Sequence, residues 1–118
     1  MIDQFRKCWT GTSAASAADA MSFGGRARGR VALWALERAA AILRSSARAQ
    51  MRLNDVGDTD LSHQERVLVE TVSALKADDY DRAEMQAQWL VKSDAVHRLL
   101  RSLAPLADTV SVQRASAA

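Results

Sequence analysis

The sequence predicts an all-α fold, a small helical bundle of one long and three to four shorter helices. Three observations carry that prediction. Apolar residues recur at three- and four-residue spacing along each extended segment, and much of the 48% apolar content is alanine. Strand-like runs of Val, Ile, Thr and Tyr are missing, as are Asn-Gly and Asp-Gly hairpin turns. Alanine is the strongest helix former, so the composition and the periodicity agree.

At 118 residues the chain fits one domain, with enough surface to bury for a core without disulfide or metal staples. The expected organisation is a short N-terminal helix and flexible segment over 1–25, a helical bundle over 26–110 and a disordered tail over 111–118. Ile2, Phe5 and Trp9 stand at helical spacing near the start. Gly11, Gly24 and Gly25, with scattered Ser and Thr, then interrupt regular structure. A long helix from Arg26 to Arg52 follows, carrying Leu33, Leu36, Ala40, Leu43, Ala47 and Met51 on one stripe. The spacings of 3, 4, 3, 4 and 4 fit a heptad seam over most of its length. Arg26, Arg30, Arg44, Arg48 and Arg52 share another face, with Arg38 at its margin and Trp34 among them.

Asn54, Asp55, Gly57 and Asp58 mark the main loop. Ser62-His63-Gln64-Glu65 is a capping-box sequence, and Leu68, Val72 and Leu75 give the helix it opens an i, i+4, i+7 stripe. Asp78 and Asp79 end that helix or cap the next, expected over Tyr80 to Lys92 with Tyr80, Ala83, Ala87, Leu90 and Val91 inward. Ser93 and Asp94 precede a last helix with Val96, Leu99, Leu100 and Leu103 inward. Pro105 is expected to kink or end it.

A 27-residue helix would be about 40 Å long, twice the reach of its short neighbours. Part of its apolar stripe would then lie uncovered in a single copy, which predicts a homodimer with Leu33, Leu36 and Leu43 in the seam. Charge divides unevenly as well. Residues 1–52 hold nine Lys/Arg against three Asp/Glu, and the remainder holds seven against eleven. Such a split fits an anionic partner for the basic half, or the docking of one half on the other, within a chain or between copies.

The motifs point away from catalysis. Gly24-Gly25-x-x-x-Gly29 lacks the Lys-Ser/Thr of a phosphate loop, and no nucleophile stands beside a base. His63, His97 and Cys8 show no zinc-site spacing. A calcium-loop reading from Asn54 fails because Val56 and Thr59 occupy the third and sixth places. Glu65, Glu70 and Glu84 lie outside the apolar stripes and are expected in solvent. No metal, cofactor or enzymatic role is therefore expected. The lone Cys8 fits a reducing, cytoplasmic location, and no apolar run is long enough to span a membrane.

The expected function is a non-enzymatic protein–protein interaction or regulatory module. Arg30, Trp34, Arg38, Arg44 and Arg48 are the candidate partner-binding residues. The alternative is a small nucleic-acid-binding protein in which the same arginines track phosphates and Trp34 stacks on a base. A third reading is a histidine phosphotransfer-like bundle. His97-Arg98-Leu99-Leu100-Arg101-Ser102 resembles the motif of that family in the leucine two places after the histidine. It departs from the motif where Leu100 and Arg101 stand in the places of a lysine and a glycine.

Overall fold

Local signals set most helix boundaries. In the computed structural model of the chain, residues 1–10, Phe23 and 25–117 are described, except for the side chains of Arg26 and 110–117. Five α-helices appear among them: α1 (Ile2–Thr10), α2 (Arg26–Ser46), α3 (His63–Lys76), α4 (Tyr80–Leu90) and α5 (Val96–Ala117). A short 3₁₀ turn, Ser93–Ala95, leads into α5. The segment expected to be flexible lies mostly outside the described residues.

The Ser62 hydroxyl accepts from the Glu65 amide at 3.2 Å, and the Glu65 carboxylate accepts from the Ser62 amide at 2.8 Å, completing the capping box of α3. At the other end, Asp78 takes a positive φ of 57°, which short polar side chains tolerate. The Asp79 amide then donates to the Ala74 carbonyl and the Asp78 amide to the Leu75 carbonyl, the bond pair of a Schellman stop. Asp79 in turn caps α4 by accepting from the Arg82 amide at 3.2 Å. The two aspartates thus divide the work of ending one helix and starting the next.

The core fills the space between α2 and α5, with α3 against both α4 and α5 and α1 laid across α2. Leu36, Leu43, Leu68, Leu99, Leu103 and Leu106 are fully buried. Ala32, Ala35, Ala39 and Ala40 line the buried side of α2, and their small side chains let neighbouring helices approach closely.

Five expectations change. The long helix stops at Ser46, six residues early. Ala47 turns extended and forms an antiparallel bridge with Val91, in which the Arg48 amide donates to the Leu90 carbonyl and the Lys92 amide to the Ser46 carbonyl. Backbone groups that would have continued α2 are therefore spent on the end of α4, and the Ser45 hydroxyl turns back to the Ile42 carbonyl. At 21 residues, α2 is about 31 Å long and fits within the molecule's longest dimension of 35 Å. Pro105 does not end α5, which continues to Ala117, where a tail from Ser111 was expected. Tyr80 points outward and is 59% exposed. Glu65, expected in solvent, is fully buried.

Glu65 is buried because Arg6 meets it there. Arg6 Nε donates to Glu65 Oε2 at 2.6 Å and Nη2 to Oε1 at 2.9 Å. Nη1 serves Asp3 Oδ1 and the Asp58 carbonyl, and Nη2 also serves the Asp60 carbonyl, all at 2.9 Å. All five guanidinium N–H groups are thereby used. The carboxylate is equally saturated, since its oxygens also accept from the Ser62 and Asn54 amides. Burial alone would raise the Glu65 carboxyl. The Arg6 guanidinium and the two amides outweigh that and hold it below its ordinary range.

Breaking this pair is expected to cost about 3–5 kcal/mol, because an uncompensated charge stays buried. Arg6→Met should lower Tm by ~10 °C or more in thermal unfolding. Adding Glu65→Gln should recover part of that loss, since the amide carries no charge and its carbonyl still accepts from Ser62. A double variant no more stable than Arg6→Met would contradict the account.

The pH dependence has a definite sign. A carboxyl depressed in the folded state gives stability that is complete above its unfolded value, ~4.3, and is lost as pH falls through the folded value. In Arg6→Met, burial without the guanidinium raises the Glu65 carboxyl, so that variant should gain stability relative to wild type as pH falls toward ~4.3. Urea unfolding of both proteins between pH 7 and pH 3 reads the difference.

Candidate functional site

Seen from the helix surfaces, the arginine face of α2 divides into residues with internal work and residues without it. Arg44 Nη2 donates to the carbonyls of Cys8 and Trp9, and its guanidinium lies 5.1 Å from the centroid of the Trp9 ring. It thus satisfies carbonyls at the C-terminal end of α1, where a cation is also favoured by the helix dipole. Arg48 Nε donates to the Gln88 carbonyl near the end of α4. Both residues were expected to face a partner; both hold helix ends within this chain. Arg30 is exposed, and the Arg26 side chain lies outside the described residues.

Leu33, Leu36 and Leu43, the expected dimer seam, are 7%, 0% and 0% exposed in the single chain. The shorter α2 is covered by α5 and α1 of the same molecule. The uncovered stripe that predicted the seam is therefore missing, and these three leucines are core residues.

Trp34 and Arg38 stay at the surface. Trp34 is 53% exposed, with the Arg38 guanidinium 4.8 Å from its ring centroid. They open onto a groove of about 490 Å³ between α2 and α5, completed by Ile42, Arg98, Arg101 and Pro105. The groove exists because Arg98, Arg101 and Pro105 share the outward face of α5, while Leu99, Leu100 and Leu103 turn to the core. No ion pair holds Arg38, Arg98 or Arg101 among the described residues; Arg98 has one long contact, 3.4 Å, to the Ser46 hydroxyl.

The groove therefore combines three guanidinium groups without carboxylate partners among the described residues, an indole face and a proline ring. Its chemistry suits a carboxylate- or phosphate-bearing partner that also carries an apolar group. Arg98 and Arg101 did not stand out in the sequence. Their i, i+3 spacing on one face of an amphipathic helix was the available signal, but which helix lay beside them was not.

Other candidates occupy simpler settings. His97 is exposed, with Nδ1 3.9 Å from Glu84 Oε1, and His63 is exposed in the first turn of α3. The aspartate-rich loop wraps around Arg6 through the carbonyls of Asp58 and Asp60, and Asp58 Oδ1 accepts from the Asp60 amide. Cys8, in α1, is half-buried. No described helix is long and apolar enough to cross a membrane. No protein-family model, curated protein or solved structure matches the chain.

Proposed function

We propose that this protein is a non-enzymatic interaction module of regulatory type, docking a protein partner in the groove between α2 and α5. The partner presents an acidic segment with at least one apolar side chain. One observation supports this reading above the others: Trp34 stays half exposed beside Arg38, while Arg98 and Arg101 across the groove lack carboxylate partners among the described residues. Tryptophan and arginine are the residues in which binding energy concentrates at protein interfaces. Covering the exposed part of an indole contributes about 2 kcal/mol from apolar area alone. Carboxylates held in two-point contact by guanidinium groups supply direction and register.

A cytosolic location fits the single cysteine, whose chemistry calls for no oxidising compartment. The nucleic-acid alternative draws on the same tryptophan and arginines. It is weakened by the commitment of Arg44 and Arg48 to helix carbonyls and by the end of α2 at Ser46, which together break the arginine track expected along the long helix.

The two readings separate with defined probes. A synthetic helical peptide bearing several Asp/Glu and one tryptophan should bind the full chain, with Arg98→Glu/Arg101→Glu and Trp34→Ala each weakening it at least ~10-fold, or ~1.4 kcal/mol. Isothermal calorimetry at moderate salt reads that loss. Binding of a single-stranded oligonucleotide with a steep salt dependence, and none of the peptide, would replace this proposal with the nucleic-acid reading.

A further inference from the structure

Exposed large apolar side chains are few among the described residues and fall mainly in two places. Val31 and Trp34 belong to the groove side of α2, and Tyr80, Met85 and Trp89 belong to α4. Helix α4 turns its small residues Ala83 and Ala87, with Leu90, to the core. Its opposite face carries Asp81, Met85 and Trp89 at i, i+4, i+8, a continuous outward row. Met85 is 64% and Trp89 70% exposed, more than any other large apolar side chain described. No described residue covers this row.

The row and the groove are complementary in charge and in length. Asp78, Asp79 and Asp81 cluster at the start of α4, three carboxylates against Lys76 at the end of α3 and Arg82, which lies 3.9 Å from Asp79. Arg38, Arg98 and Arg101 line the groove. Asp81 to Trp89 advances eight residues, about 12 Å, and Trp34 to Ile42 along the groove advances the same. An amphipathic helix laid into a groove is a recurring mode of recognition, anchored by side chains on one face.

We infer that the partner of the groove is a second copy of this chain, whose α4 lays the Asp81–Met85–Trp89 row between α2 and α5. This rests on the groove being the docking surface proposed above. Met85 and Trp89 pack against the indole of Trp34 and the ring of Pro105, and the acidic start of α4 meets the guanidinium groups. The contact joins two unlike surfaces, so it closes as a reciprocal pair or extends into a chain. One helix in one groove is a small interface, which places the association among the weak, concentration-dependent ones.

Sedimentation of the full chain from ~10 µM to ~1 mM tests this, in the concentration range of such weak contacts. Wild type should rise from monomer mass to twice that mass or more. Met85→Ala/Trp89→Ala destroys the donor row and Arg98→Glu/Arg101→Glu the groove; each alone should stay monomeric with unchanged far-UV helicity. Mixed in equal amounts, the two variants should recover a 1:1 dimer, because each keeps the surface the other lacks. Wild type at monomer mass throughout, self-association that survives either pair of substitutions, or a mixture that stays monomeric would each overturn the inference. The acidic-peptide measurement separates the two failures. If the peptide still binds in an arginine-dependent way, the groove stands and only the self-partner falls; if it does not, both fall.

Discussion

The junction of α1, the aspartate-rich loop and the first turn of α3 depends on one buried guanidinium. Arg6 joins α1 to the first turn of α3 and to the loop before it through four hydrogen bonds, and a fifth to Asp3 within α1 uses its last N–H; the Ser62 and Asn54 amides complete Glu65. A buried ion pair is weak evidence of stability by itself, because desolvation offsets much of the attraction. Here the compensation is complete on both sides, and the geometry dictates position. Asp58 and Asp60 turn carbonyls inward, so their side chains stay outside, and Gly57 donates its amide to Asp3. The aspartate-rich loop is thereby shaped around a cation the chain itself provides.

The arginines divide into three kinds of work, and that division defines the surface available to a partner. Arg6 is internal. Arg44 and Arg48 close the ends of α1 and α4, the second beside the Ala47–Val91 bridge that stops α2. Arg38, Arg98 and Arg101 face solvent around the indole of Trp34, without ion pairs among the described residues. Covering of the apolar stripe by α5 shifts the candidate interface from the leucines to this groove. It also frees the acidic row of α4 to be considered as the matching surface.

Much of the fold was legible in local sequence. The capping box at Ser62 and the aspartate pair at 78 and 79 rest on interactions within a few residues, the inward leucines of α3 and α5 follow helical periodicity, and all stand as read. What was missed depends on distant pairs. Glu65 stands in line with the apolar stripe, three places before Leu68 and seven before Val72, but its charge argued for solvent; its burial follows from Arg6, 59 positions away. The end of α2 cannot be read from its own residues, since 47–52 contain no glycine or proline and favour helix. The Val91 bridge overrides that preference. Trp34 among arginines was visible, yet which arginines share its groove depended on α5 lying alongside α2. Tyr80 kept helical spacing with the core of α4, but at the first turn of a short helix no neighbouring element reached it.

The central claim is that Trp34 and Trp89 meet across molecules while Trp9 serves the fold. The three indole N–H groups of the chain offer three separate reporters in one ¹H–¹⁵N spectrum. On raising the protein concentration, the Trp34 and Trp89 signals should move together along one binding curve, with Trp9, stacked beneath Arg44, left in place. Movement of Trp9 with the other two fixed, or three signals unchanged up to ~1 mM, a concentration at which even weak contacts populate, would contradict the account.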